Sequence, residues 1–378
     1  MFKPDILFPY YKNLLGWVQY FDADEFQIDP DLVASETGEF YQDKHPALQL
    51  NIIKATLPDK KELDVYLLEK VKAGVNCIFN DLLQYRMNNA HGKTLLETAQ
   101  LLNRPTWSRD TIVNQNRFVG FQIHVKDQTG IQAVLNEIGL QLDGEQEIVL
   151  YLFHSQKEDP IHEYVFNTVN TTTVWRKVDE ELNSHKIEEF HGGLFVLGYY
   201  QEDLITSAIN YANFNWERGE CNGCNGNYYA GWQNVKRNFT IFPLYVPNGS
   251  FTKGKMFDTD MAFYEPTLSW GLNLRLTVRC DFTEFFIQNK FAFKNLLALK
   301  VTHLILNDIK FSQEINFIEE NLKMMVIRDL EGDKETNALN IAQQYKNELK
   351  AVTFNISGLN NRCLDCREQH ESPQIGFV

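Results

Sequence analysis

Between residues 117 and 281 apolar and polar positions alternate in short runs, and this stretch organises the chain. The runs fall at 117–126, 130–142, 146–153, 161–168, 172–178, 193–201, 238–246 and 267–278. Each is rich in β-branched and aromatic residues, the composition that fits a pleated, half-buried surface. Asp143-Gly144 and Asn248-Gly249 are turn pairs between them. Short strands at this spacing predict two antiparallel sheets packed face to face, a β-sandwich of jelly-roll type. Within it 204–237 reads as an irregular insertion.

The period changes on both sides. Over 60–88, Leu63, Leu67, Val71, Ile78, Leu82 and Tyr85 recur at three- and four-residue steps and predict an amphipathic helix. Asp59 sits at its N-cap position with Glu62 three residues on. A short second helix is predicted at 93–102. Beyond Asp281, Phe282, Phe285, Phe286, Phe293, Leu296, Leu297, Val301 and Leu304 form a wide apolar face suited to burial. Ser312 reads as the next N-cap, leading Ile315, Ile318, Leu322, Met325 and Leu330 to a stop at Gly332. A further helix is predicted at 335–350 and a last strand at 352–356.

The chain is therefore read as an α+β multidomain protein: a central antiparallel β-sandwich flanked by helical N- and C-terminal segments. Its expected parts are an aromatic arm at 1–58, a helical hairpin at 59–115, the sandwich at 116–280, and a helical domain at 281–378 ending in a Cys-x-x-Cys tail. In the arm, Pro4, Pro9, Pro30, Pro46 and Pro58 prevent a long helix, yet Phe8, Tyr10, Tyr11, Trp17, Tyr20 and Phe21 are many large side chains for so irregular a segment. Packing on its own domain and packing on a neighbouring subunit are equally open.

With 378 residues, 44 % of them hydrophobic, the chain is long enough for two or three cores. A net charge of −14 argues against gripping nucleic acid as its main task. No apolar run has membrane-spanning length, and no signal-peptide pattern follows Met1. Synthesis in the cytoplasm is expected, where the six cysteines would be thiols or metal ligands rather than disulfides.

The most specific chemical feature is a pair of Cys-x-x-Cys motifs, Cys221/Cys224 and Cys363/Cys366. Together they supply four thiolates, and two-residue spacing lets both sulfurs of a pair reach one tetrahedral zinc ion. Gly223 and Gly226 would let the backbone turn tightly around it. The pairs lie far apart in sequence, so a structural zinc site requires the tail to meet the insertion; ordinary turn cysteines or disulfides are the alternative. Cys77 and Cys280 fall among apolar positions and read as buried bystanders.

Trp216, Tyr228 and Trp232 are candidates for stacking on sugar rings, with core and loop packing as the plainer account. Acidic residues gather at 179–181 and at 188–189, but nothing in their spacing sets two carboxylates across one cleft. His91-Gly-Lys-Thr94 lacks the upstream glycine and strand of a phosphate-binding loop. An enzyme is not expected.

Four passages carry a family likeness: Phe118 to Val125, Gln146 to His154, Gly192 to Gln201, and Gly271 to Asp281. With the order of arm, hairpin, β body and helical end, the chain resembles uncharacterised virion structural proteins of tailed phages and prophages from Bacteroides-type hosts. The resemblance implies a neck, tail or baseplate component with other protein subunits as partners, and it assigns no functional residue. The expectation is a non-enzymatic structural subunit assembled into a virion. A carbohydrate-binding β-sandwich is the alternative, and a glycan hydrolase comes third.

Overall fold

The computed structural model describes residues 2–19, 28–57, 61–85, 93–102, 110–125, 130–182, 194–210, 214–215, 220–221, 230–312, 320–332, 339–353 and 363. The chain divides into two compact units, Met1–Lys93 with Asp281–Val378, and Thr94–Cys280. It is an α+β protein whose sheets are antiparallel.

The first unit is helical. Its spine pairs α4 (Leu63–Tyr85) with α7 (Lys294–Phe311); α1 (Pro4–Tyr11) packs on α4 and on α6 (Thr283–Gln288), α8 (Glu320–Glu331) and α9 (Ile341–Ala351) pack on α7, and α2 (Pro30–Val33) and α3 (Leu50–Ala55) are short helices of the same unit. Four positions of the predicted α4 stripe, Leu67, Val71, Ile78 and Leu82, are buried, whereas Leu63 is half-buried and Tyr85 at the helix end is exposed. At Gly74 a Cβ would lie 2.6 Å from Val301 Cγ2, so glycine is what lets α4 approach α7. Asp81 on α4 accepts hydrogen bonds from Tyr345 Oη at 2.7 Å and Lys300 Nζ at 3.3 Å. Asn340 caps α9 through a reciprocal box with Gln343.

Phe79 centres an aromatic cluster in this unit. Phe286 stacks on it at 4.2 Å, while Tyr11, Phe2 and Phe293 meet it edge-on. Trp17 stacks on Tyr41 at 4.7 Å, and both are buried. Tyr11 and Trp17 thus pack within their own unit, whereas Tyr10 is exposed. Tyr20 and Phe21 lie outside the described residues.

The second unit holds the strands. A six-stranded sheet runs β13-β12-β3-β8-β5-β6, made of β13 (Phe263–Tyr264), β12 (Phe239–Val246), β3 (Phe118–Val125), β8 (Leu194–Tyr200), β5 (Glu147–His154) and β6 (His162–Asn167). A four-stranded sheet runs β1-β14-β4-β7, from β1 (Thr94–Gln100), β14 (Leu272–Cys280), β4 (Ile131–Leu140) and β7 (Val174–Glu181). Small pairs are formed by β2 (Thr111–Ile112) with β9 (Ala208–Ile209), and by β10 (Phe214–Asn215) with β11 (Glu220–Cys221).

In β3, Val119, Phe121, Ile123 and Val125 share one face of the six-stranded sheet and are fully buried. On the opposite face Phe118, Tyr151, Phe153, Val196, Tyr200, Leu244 and Val246 form a second cluster with Phe257, and Phe251 and Met256 pack against it. Gly120 lies opposite Gly198 across β3 and β8. A Cβ on Gly198 would stand 2.2 Å from Val119 O and 2.7 Å from Phe118 Cζ, so the strands close up there beneath the Phe118 ring.

One expectation is corrected. Residues 93–102 contain no helix: Thr94–Gln100 is strand β1, paired with β14 through two register shifts. Helix-forming Leu, Glu, Ala and Gln misled the reading; the open edge of β14 supplies backbone partners that outweigh a weak local preference. Ser312 is the C-cap of α7, and its hydroxyl donates to Thr56 O at 3.1 Å; the start of the helix it was expected to cap lies outside the described residues. Val352 and Thr353 are outside any strand, and the rest of that predicted strand is beyond the described residues.

Candidate functional site

The two edges of the six-stranded sheet are built differently. At β6 the edge is dressed with polar contacts: an Arg176 guanidinium N–H donates to Val165 O, and His162 meets Glu180 at 2.9 Å. Such dressing discourages further strand pairing. At β13 the edge shows apolar surface instead, with Met261, Phe263 and Tyr264 exposed by 50 %, 52 % and 53 %.

From this edge a line of rings leads inward. Phe263 stacks on Tyr245, its partner across β12 and β13, at 5.5 Å and 18°. Beyond Tyr245 lies Arg117, its guanidinium carbon 4.4 Å from the Tyr245 ring centre and 4.9 Å from that of Trp270. Cation–π contact on two rings fixes the guanidinium in the way that suits arginine better than lysine. Burial pulls the Arg117 pKa below its ordinary value, while Tyr245 and Glu265 push the other way.

Gln201 completes the arrangement. Its side-chain Oε1 accepts from Arg117 Nε and from Gln115 N, both at 3.2 Å. Its backbone N–H donates to Arg117 O at 2.9 Å, and its carbonyl accepts from Asn114 Nδ2. Turning the amide over would aim its NH2 at two donors, so the network fixes its orientation. Gln201 Nε2 and Trp270 Nε1 are both buried and have no hydrogen-bond partner among the described residues. Trp17 Nε1 and Tyr41 Oη in the helical unit are in the same condition; what sets Gln201 and Trp270 apart is that both touch one guanidinium.

The local backbone is shaped to bring these groups together. Asn116, just before Arg117, has φ +54°, and an Asx turn from Asn114 Oδ1 to Asn116 N at 2.9 Å supports it. Trp270 has φ +56°, unusual for so large a side chain, and Tyr199 Oη holds its carbonyl at 2.9 Å. Gly271 follows at φ +70°, where a Cβ would lie 2.5 Å from Gln141 O. Arg117, Gln201 and Trp270 were not singled out by sequence; the only local signal was the Trp-Gly pair opening a strand.

The residues that sequence did single out are placed apart from this cluster. Trp232 lies on α5 (Ala230–Lys236), buried, with Lys236 Nζ 4.7 Å from its ring centre, a position that leaves little ring face for a sugar. Trp216, Tyr228, Cys224 and Cys366 lie outside the described residues, and of Cys221 only the backbone, in β11, is described. Cys363 and Cys280 are buried and each is disulfide-bonded. This corrects the expectation of reduced thiols for both, and Cys280 is not a bystander. A disulfide sulfur offers no thiolate, so Cys363 as found does not fit a zinc ligand. Among the described residues no group of three His, Cys, Asp or Glu side chains is arranged to hold a metal ion, and no helix is long and apolar enough to cross a membrane.

No protein-family model and no curated protein matches the chain. What the site does must therefore be read from its geometry: one fixed cation, donor groups and aromatic surface form a set suited to holding a molecule.

Proposed function

We propose that the protein is a non-enzymatic structural subunit of a larger assembly, with the edge of the six-stranded sheet at β13 as a contact surface between subunits. The observation that carries this reading is the exposure of Met261, Phe263 and Tyr264 together at that edge, where β6 at the other end is protected by Arg176 and His162. Aromatic residues and methionine are enriched at subunit contacts, and a strand edge adds backbone groups for pairing.

The finer proposals are that the two main sheets form a sandwich, and that the assembly is a virion neck, tail or baseplate. Buried residues on both sheets support the first, since Phe121 and Ile123 on one and Leu274, Leu276 and Val278 on the other are all fully buried. The family likeness supports the second. Zinc on Cys221, Cys224, Cys363 and Cys366 is a separate proposal and requires Cys363 to be reduced first.

Sedimentation velocity of the full chain tests the assembly reading. Concentration-dependent association is expected, and Phe263→Lys with Tyr264→Lys should shift the protein to monomer while leaving its circular dichroism unchanged. A wild-type protein that stays monomeric at every concentration overturns self-assembly, and turnover on a polysaccharide panel overturns the non-enzymatic part. Glycan-array binding lost in Trp216→Ala would favour a carbohydrate-binding module instead.

A further inference from the structure

We propose that Arg117, Gln201 and Trp270 form a binding site for a carboxylate group, a property that goes beyond assembly and does not depend on it. The guanidinium is gripped on three sides, by the Tyr245 ring, the Trp270 ring and Gln201 Oε1. That grip uses only the Nε hydrogen, and the terminal nitrogens keep their donors. Two of the side chains that hold the fixed positive charge, Gln201 and Trp270, thus each carry a buried donor with no partner among the described residues.

The chemistry of the acceptor follows from the donors. A carboxylate is planar, accepts a guanidinium fork through two oxygens, and has lone pairs left for an indole and an amide N–H. Glu265 is near enough for its charge to act on Arg117, which favours a monoanion over a dianionic phosphate. The body attached to the carboxylate has aromatic surface one ring away, where exposed Phe263 stacks on Tyr245. An acidic sugar and a polypeptide C-terminus both present this chemistry.

The backbone supports a role beyond packing. Asn116 and Trp270 flank the site in left-handed conformations that non-glycine residues seldom adopt, and both are held there by named hydrogen bonds.

The test uses the full chain with 15N-labelled tryptophan, in which the Trp270 Nε1–H resonance is identified by its loss in Trp270→Phe. The probes are methyl β-D-glucuronide against methyl β-D-glucoside, N-acetylphenylalanine against its amide, and inorganic phosphate. A saturable shift of that resonance is expected with an acid and not with its neutral counterpart; the acid that saturates at lower concentration identifies the source. Arg117→Lys should weaken binding roughly tenfold by losing the fork. Gln201→Glu should abolish it, because the new carboxylate pairs with Arg117 itself. Near-UV circular dichroism checks that each variant folds, and the acid-against-neutral comparison in wild type decides the matter if neither does. No saturable shift, equal response to acid and neutral probes, tighter binding of phosphate, or binding unchanged in both variants would each overturn the site. Those results would leave the assembly reading standing, because sedimentation reports on Phe263 and Tyr264.

Discussion

Each unit contains a cluster of aromatic rings, and the two are built on opposite plans. Around Phe79 the rings of Phe2, Phe286, Phe293 and Tyr11 meet carbon on every side. The one hydroxyl among them, Tyr11 Oη, is spent at once on Phe286 O. Around Arg117 the rings of Tyr245 and Trp270 enclose a cation, and the nitrogens of Gln201 and Trp270 are left unmet. Rings close on one another in the first cluster and on a charge in the second.

Substitutions can break this contrast, beginning where the cost is greatest. Phe79→Ala leaves a cavity in a fully buried cluster and should destabilise the helical unit by about 3–5 kcal/mol, read by denaturant unfolding. Gly198→Ala should cost about 1–3 kcal/mol, because its methyl group meets Val119 O and the Phe118 ring; amide hydrogen exchange in β3 and β8 would report it. Arg117→Met should cost only about 1 kcal/mol, the worth of its cation–π contacts, whereas its effect on carboxylate binding should be large. A loss as great as that of Phe79→Ala would mean the Arg117 cluster is a core after all.

Smaller effects sharpen the picture. Phe263→Ser at the exposed edge should change stability by no more than about 0.5 kcal/mol while reducing association in sedimentation. Burial, followed by the nearby Lys300 charge, lowers the pKa of His303 below its ordinary value. The unfolded chain therefore takes up that proton first as the pH falls below about 6.5. Stability of the helical unit should decline from there, modestly, and His303→Gln should flatten the decline in thermal melts against pH.

Much of the frame was legible because its signals are local. The inward stripe of α4 follows a helical period, and the runs that became β3, β5, β8, β12 and β14 alternate or are continuously apolar. Strand β1 was not legible, since Leu96, Glu97 and Ala99 favour a helix and only pairing with β14 decides otherwise. The Arg117 cluster was invisible for a stronger reason. Arg117, Gln201, Tyr245 and Trp270 belong to four separate stretches that strand pairing brings together, and none carries a spacing that marks it. Cysteine spacing drew attention to Cys363 as a thiolate beside Cys366, while the apolar setting of Cys280 hid its part in a disulfide.

The division of the chain has a consequence for how it is made. The helical unit is drawn from both ends of the sequence, and the strand-rich unit is a single uninterrupted segment between them. A ribosome releasing the chain from its N-terminus delivers α4 long before α7, so Gly74 waits for Val301 and Asp81 for Lys300 and Tyr345 until the last quarter has emerged. Meanwhile all the strands between them are already outside and free to pair. Co-translational folding should therefore run from the middle outward, with the apolar stripe of α4 in need of shelter in the interval.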